Sequence, residues 1–256
     1  MSPRISRSSS RARSAGRDYY EELLATREYR ESRLRKAAVL DAIVGDRFRA
    51  AGVVGDIGSG TGLLKRELER LSGQPIIGFE LDPRVVIERR RTCVADGTRL
   101  PVPDACFDFL IVNHLYEHVT DPRSLFAEVS RVLKPGGSAY VSAGSRWAFI
   151  EPHYRLPFLS WLPRGWADRY VRWTGRARSY RGIRFLGYRS LQRAMDLPEL
   201  RCADMTEHAI RSVLNGGGAG KWRLAWRILS LLPAGPRRAL LRCGPQWFFL
   251  LTRQAR

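Results

Sequence analysis

The sequence predicts an α/β fold built on a doubly wound, mostly parallel sheet with helices on both faces. Three observations carry that expectation. Short apolar runs alternate with helix-patterned segments from residue 50 to about 145, the signature of strand–helix–strand crossovers. The run Phe107-Asp108-Phe109-Leu110-Ile111-Val112-Asn113 is almost wholly apolar, as a central parallel strand covered on both faces must be. And Val53-Val54-Gly55-Asp56-Ile57 leads directly into Gly58-Ser59-Gly60-Thr61-Gly62, a buried strand followed by a tight turn and a helix N-terminus.

Taken in order, the first strand covers about 53–57 and its helix 61–72. The second strand, about 75–80, ends at Glu80, and a helix is expected from Pro83 to Arg90 because Pro suits a first helical turn. A third strand at 92–95 and the fourth at 107–113 follow. Asp121-Pro122 reads as a capping acid and an N1 proline, with Leu125, Val129, Val132 and Leu133 forming one apolar helical face. Pro135-Gly136-Gly137 stops that helix before a fifth strand from Ser138 to Ala143. Residues 188–196 read as a helix, Leu200–His208 as strand six and Gln246–Arg253 as strand seven.

Ligands of such sheets sit beyond the carboxyl ends of the strands, at the point where strand order reverses. The strand tips here are Asp56, Glu80, Asp96 and Asn113, all polar and each ending an apolar run. Gly58 and Gly60 let a ligand lie close to the backbone. The spacing G-x-G-x-G after an acid suits a ligand with an ammonium group better than a pyrophosphate, and Glu80 is placed to accept from two ribose hydroxyls.

These residues, with Ala95-Asp96-Gly97, Asn113-His114, Glu117-His118-Val119 and Arg131-Val132-Leu133-Lys134-Pro135-Gly136-Gly137, lie in an order and spacing that resemble the class I S-adenosylmethionine-dependent methyltransferases over roughly residues 50–145. The resemblance implies a Rossmann-like methyltransferase sheet whose last strand is antiparallel, and S-adenosyl-L-methionine as cofactor. It implies that Asp56, Gly58 and Gly60 hold the methionine end, with Asn113 nearby. Glu80 would bind the ribose, Leu81 would pack near the adenine, and Asp96, beside Gly97, would accept from the exocyclic amine.

Around this core the chain is organised as a basic tail (1–16) followed by one methyltransferase domain (17–256). Within it lie an N-terminal helical cover (17–48), the cofactor-binding core (50–145), an aromatic, Pro-rich substrate lid (145–185) and a helical insertion (208–245). The resemblance offers Tyr19 or Tyr20 as a contact of the cover with the cofactor site, with core packing the favoured fate of either. In the last insertion, Gly216-Gly217-Gly218 precedes a segment placing Trp222, Ala225, Trp226 and Leu229 on one face with Arg223 and Arg227 elsewhere, a composition shared by membrane-surface helices and core-packed ones.

The 256 residues carry 44 Lys and Arg against 25 Asp and Glu, a net charge of +19 that favours an anionic partner. Cys93, Cys106, Cys202 and Cys243 are scattered and read as reduced cytoplasmic thiols; no metal site is expected. No apolar run is long enough to span a bilayer and no secretory leader is recognisable, so the expected location is cytoplasmic, peripheral to the inner membrane face. His114 and His153 are the candidate general bases.

The favoured acceptor is an amphipathic or lipid-linked small molecule methylated at oxygen. Nucleic acid is the alternative, argued from charge alone, because the Pro-Pro-aromatic run of base amino-methylases is absent after Asn113. A non-catalytic cofactor-binding scaffold is the third reading.

Overall fold

The computed structural model describes residues 27–215 and 220–255; the basic tail, Tyr19, Tyr20 and the joint at Gly216-Gly217-Gly218 lie outside them, as do the side chains of Trp222 and Ala225. Among the described residues the strands are β1 (Val54–Ile57), β2 (Ile76–Glu80), β3 (Thr92–Val94), β4 (Phe107–Asn113), β5 (Leu133–Gly144), β6 (Ile150–Glu151), β7 (Leu156–Pro157), β8 (Leu200–Asp204) and β9 (Gln246–Arg253). The helices are α1 (Arg27–Arg49), α2 (Leu63–Ser72), α3 (Pro122–Val132), α4 (Arg164–Trp173), α5 (Tyr188–Met195), α6 (Thr206–Asn215), α7 (Gly220–Ser230) and α8 (Ala234–Leu241).

Seven strands form one sheet in the order β3-β2-β1-β4-β5-β9-β8, and β6–β7 form a separate hairpin. β1 to β5 pair in parallel, while β9 is antiparallel to both β5 and β8. The antiparallel strand therefore lies inside the sheet, next to its edge. Strand order reverses between β1 and β4, which puts the ligand edge above Asp56 and Asn113.

Period-two alternation splits β4 between two apolar layers. Leu110 and Val112 face Leu125, Phe126 and Val129 of α3 with Leu191 and Met195 of α5. Phe109 and Ile111 face Ala37, Leu40 and Phe48 of α1, Leu64 and Leu68 of α2, and Ala209 of α6. Asp121 caps α3 as its spacing predicts, accepting from the Arg123 amide at 3.0 Å with Pro122 in the first turn.

Three expectations need correction. Pro83–Arg90 is not a helix but a run of turns. Asp82 binds the Arg84 amide at 3.0 Å, β-branched Val85-Val86 is buried, and the amides of Ile87 and Glu88 donate to the Thr61 carbonyl at 3.2 and 3.0 Å, so the segment docks on the glycine turn instead. Strand six ends at Asp204, whose carboxylate accepts from the Thr206 amide at 2.8 Å and turns the chain into α6. The start of the 208–245 insertion is therefore core: Ala209 and Leu214 of α6 are buried, Ala209 among residues of α1.

Trp247 is fully buried in the β9 layer, against the Tyr188 ring (centroids 5.4 Å apart), and donates its indole N–H to the Leu241 carbonyl at 3.3 Å. Trp247→Ala is expected to lower stability by about 3–5 kcal/mol, measured by urea denaturation; a loss below about 1 kcal/mol would contradict this packing.

Candidate active site

The turn after β1 is held by backbone geometry. Gly58, Gly60 and Gly62 have φ of 73°, 55° and 78°, the left-handed region that only glycine enters freely. The amides of Gly58 and Ser59 both donate to the Phe79 carbonyl (2.8 and 3.0 Å), pinning the turn to the end of β2. The Gly60 amide donates to Glu80 Oε2 at 2.8 Å, and Glu80 Oε1 accepts from the Asp82 amide at 3.0 Å. A Cβ at Gly58 would strike Leu115 at 2.7 Å, whereas one at Gly60 would meet nothing within 4 Å. Open space thus lies over Gly60, beside a carboxylate with acceptor capacity to spare.

Asp56 lies under this turn, 2% exposed, and its Oδ2 has no hydrogen-bond partner. Burial raises its pKa to about 7, the Glu80 charge adds to the rise, and Lys65 opposes it. Asp96 is exposed; its Oδ1 accepts from the Thr98 amide and hydroxyl (2.8 and 2.7 Å), which hold its pKa below the ordinary carboxylate value. Gly97 lets Ile57 and Leu115 approach, since a Cβ there would meet them at 2.9 and 3.3 Å. Leu81 is 65% exposed and Asn113 half-buried. The seven residues from Asp56 to Gly97 assigned to the cofactor line the tips of β1, β2 and β3, with Asn113 at the tip of β4.

The N-terminal cover touches this edge through Tyr29, whose hydroxyl lies 3.2 Å from Thr61 Oγ1. The family resemblance pointed to Tyr19 or Tyr20, which lie outside the described residues.

The two candidate histidines belong to one cluster. His114 follows β4 with φ of 53°, a left-handed position that aims its ring back toward the next turn. Its Nδ1 lies 3.1 Å from Glu117 Oε1, and Glu117 is 1% exposed. His153 Nδ1 lies 2.9 Å from Oε1 of the fully buried Glu151. A carboxylate only accepts, so Nδ1 donates in both pairs and each Nε2 carries the lone pair.

Burial lowers the His114 pKa against the pull of Glu117, keeping the imidazole neutral. The His118 ring joins the two pairs, meeting His153 edge to face at 5.1 Å. Burial lowers the pKa of His118 too, with the charges of Glu117 and Glu80 opposing and that of His153 assisting. Lys36 of α1, drawn down to about 8 by burial and by Arg33, is held up by Glu117. Sequence reasoning did not pair either histidine with its carboxylate, although the spacings H-x-x-E (114–117) and E-x-H (151–153) are the signal that could have found them.

His153 reaches the cluster on a cap with its own small core. Leu156, Leu159, Ala167, Val171 and Tyr180 are buried together, and the Tyr180 amide donates to Asp168 at 2.7 Å. Tyr116 joins cap to sheet: its hydroxyl donates to the Gly144 carbonyl at 2.5 Å and accepts from the Leu186 amide at 3.2 Å. The cap's outer surface is aromatic, with Phe158 packed against Phe149 and Trp161 (centroids 4.5 and 4.9 Å) while all three remain exposed.

Residues 55–141 match the model of a methyltransferase domain. Demethylmenaquinone methyltransferase of Tropheryma whipplei (strain Twist) is 32% identical over 119 residues, 43% of this chain and 49% of that protein. Ubiquinone biosynthesis O-methyltransferase of Rhodopseudomonas palustris (strain HaA2) is 31% identical over 136 residues, 45% of this chain and 51% of that protein. The chain thus spans about half the length of these curated relatives.

Among solved structures, geranyl diphosphate C-methyltransferase from Streptomyces coelicolor A3(2) aligns with TM-score 0.52 at 18% identity, covering 90% of this chain and 85% of that one. YcgJ from Bacillus aligns with TM-score 0.51 at 18% identity, covering 85% and 99%. These two establish the shared fold.

A raised carboxyl pKa stabilises the folded state below the unfolded value, and that stabilisation is lost as pH rises through the folded value. For Asp56 the window runs from the ordinary 3.8 to about 7. Asp56→Asn is therefore expected to gain stability relative to the parent protein between pH 5 and 7.5, by up to about 1.4 kcal/mol per pH unit. Paired urea titrations across that range check it, and a constant difference would show that Asp56 is ionised throughout.

Proposed function

We infer that the chain, whose core belongs to the class I S-adenosylmethionine-dependent methyltransferase family, transfers a methyl group from S-adenosylmethionine to oxygen of an amphipathic or lipid-linked small molecule. The observation that carries the donor half is the unpartnered, buried Asp56 Oδ2 beneath an open glycine turn. It fits a ligand whose cationic end supplies the missing partner of that oxygen. Glu80 and Asp96 supply acceptors at the neighbouring strand tips for a ribose diol and an amine, and Leu81 offers an exposed apolar surface for a flat ring. The bound donor would supply an activated methyl group on a sulfonium.

What remains for the chain is to position the acceptor, exclude water and remove a proton. His153 or His114 takes that proton at Nε2, because each Nδ1 is committed to a buried carboxylate. The resulting imidazolium is stabilised by Glu151 or Glu117, which orients the ring beforehand. His153 is the better placed of the two, since it sits on the cap where an acceptor enters. Replacing an orienting carboxylate would disturb the tautomer without removing the base.

The acceptor half rests on the cap. Trp147, Phe149, Phe158 and Trp161 are exposed on the cap that follows β5, and Leu224, Ile228 and Leu231 are exposed on and just beyond α7. β9 begins where β5 ends, and Arg237 of α8 reaches Glu207 in the first turn of α6 at 3.1 Å, which brings the α7–α8 turn toward the ligand edge. Exposed aromatics with surrounding arginines suit the interface of an anionic membrane, so we place the protein peripherally at the inner membrane face with its acceptor drawn from the lipid phase. No helix among the described residues is long and apolar enough to cross a membrane.

Calorimetric titration with S-adenosylmethionine tests the donor site. Glu80→Ala is expected to weaken binding by about 1 kcal/mol or more, and His153→Ala to leave binding intact while lowering turnover about a hundred-fold. Absence of binding by folded protein would overturn the donor assignment.

A further inference from the structure

A cleft of about 370 Å³ opens between the cap and the loop that returns to α5. Arg146, Arg164 and Arg184 line it together with Leu162, Tyr180 and Phe185, and no acidic residue does. Some arginines of the chain are neutralised locally: Arg131 pairs with Glu128 and Asp104, and Arg211 with Glu207. Among the described residues none of the three cleft arginines has such a partner. Three arginines line one cavity whose walls carry no acidic side chain, the Arg146 guanidinium lying over the Trp147 ring (5.8 Å to its centroid), and an anion bound there would offset their mutual repulsion. Planar guanidinium forks match phosphate oxygens, two hydrogen bonds to each.

The cleft adjoins the histidine cluster. The Arg184 amide donates to the Glu117 carbonyl at 2.7 Å. The Phe185 ring, which walls the cleft, lies 5.8 Å from the His153 ring. Ser160, on the cap side, ties to Arg146 by donating its hydroxyl to the Arg146 carbonyl at 2.9 Å. Leu162, Tyr180 and Phe185 give the same cavity apolar walls, and Phe158 and Trp161, exposed on the cap, precede Leu162 in the chain.

We propose that this cleft binds the phosphate or diphosphate group of the acceptor, an amphiphile whose apolar tail runs out along the cap aromatics, and so fixes the reacting hydroxyl at His153. The proposal rests on the methyltransferase reading for its chemistry but not for its binding site. Anchoring the anion a short distance from the base would convert charge recognition into orientation of the nucleophile.

The test is calorimetry on the full chain with three probes: inorganic phosphate, inorganic pyrophosphate and dodecyl phosphate below its micellar concentration. Pyrophosphate is expected to bind, and Arg164→Ala and Arg184→Ala are each expected to weaken it about tenfold or more, the loss of a charge-assisted pair. Arg66→Gln, on the exposed face of α2, should leave it unchanged. Equal weakening by all three substitutions would reduce the effect to net charge and overturn the site, as would no binding at all.

Dodecyl phosphate binding about tenfold tighter than inorganic phosphate would support the tail, because burying methylenes adds affinity. Equal affinity would overturn the tail and assign the cleft to a free phosphorylated molecule. S-adenosylmethionine titrated into the same samples keeps the two readings apart. Donor binding without pyrophosphate binding refutes the cleft alone, and the reverse refutes the donor site alone.

Discussion

Three left-handed backbone positions between Gly58 and Gly62 set the geometry of the whole ligand edge. They turn β1 into α2 so tightly that two successive amides reach one carbonyl at the end of β2, while a third reaches the Glu80 carboxylate. That pinning buries Asp56 and fixes Glu80 beside an open surface. It also gives the Thr61 carbonyl to the 85–88 segment, which closes against Gly62 because a Cβ there would strike Glu88 at 2.7 Å. A side chain at any of the three would meet backbone strain before it met a ligand.

Against this rigid donor edge, the cap is built as a separate small core tied back by few hydrogen bonds. Tyr116 carries two of them, and the Arg184–Glu117 link a third. The division has a chemical logic. On the function proposed above, a donor shared by many enzymes needs a fixed cradle, whereas the acceptor side would supply a base, an anchor and an apolar surface specific to one molecule. Glu151 and His153 come from the cap, Glu117 and His114 from the sheet, and His118 lies between them. Each histidine–carboxylate pair is therefore complete within its own part of the fold, and the contact of His118 with His153 is where cap and sheet meet.

Much of the glycine turn and of the strand tips was legible in the sequence, because glycine and strand-tip acids are local signals: a turn that requires positive φ and an apolar run that ends in a carboxylate. Asp121-Pro122 announced its helix for the same reason. What escaped depended on tertiary contacts. Pro83 looked like a helix start, but Asp82 and the Thr61 carbonyl offered the backbone better partners. Leu200–His208 read as one strand because nothing in its composition marks Asp204 as the cap that begins α6. The helical face proposed around Trp226 and Leu229 is half-buried, and the exposed apolar residues are instead Leu224, Ile228 and Leu231. Tyr29, Glu117 and the arginine cleft acquire meaning only when distant segments meet.

The central claim is that one edge of this sheet brings an activated methyl donor and an amphipathic acceptor together. The most direct measurement incubates the purified protein with S-adenosylmethionine radiolabelled on its methyl group and detergent-dispersed bacterial lipid extract, then follows label and S-adenosylhomocysteine together. The account predicts label in the organic phase, formed in proportion to S-adenosylhomocysteine and abolished by omitting lipid. Donor binding without S-adenosylhomocysteine formation, or label confined to water-soluble or nucleic-acid fractions, would contradict it.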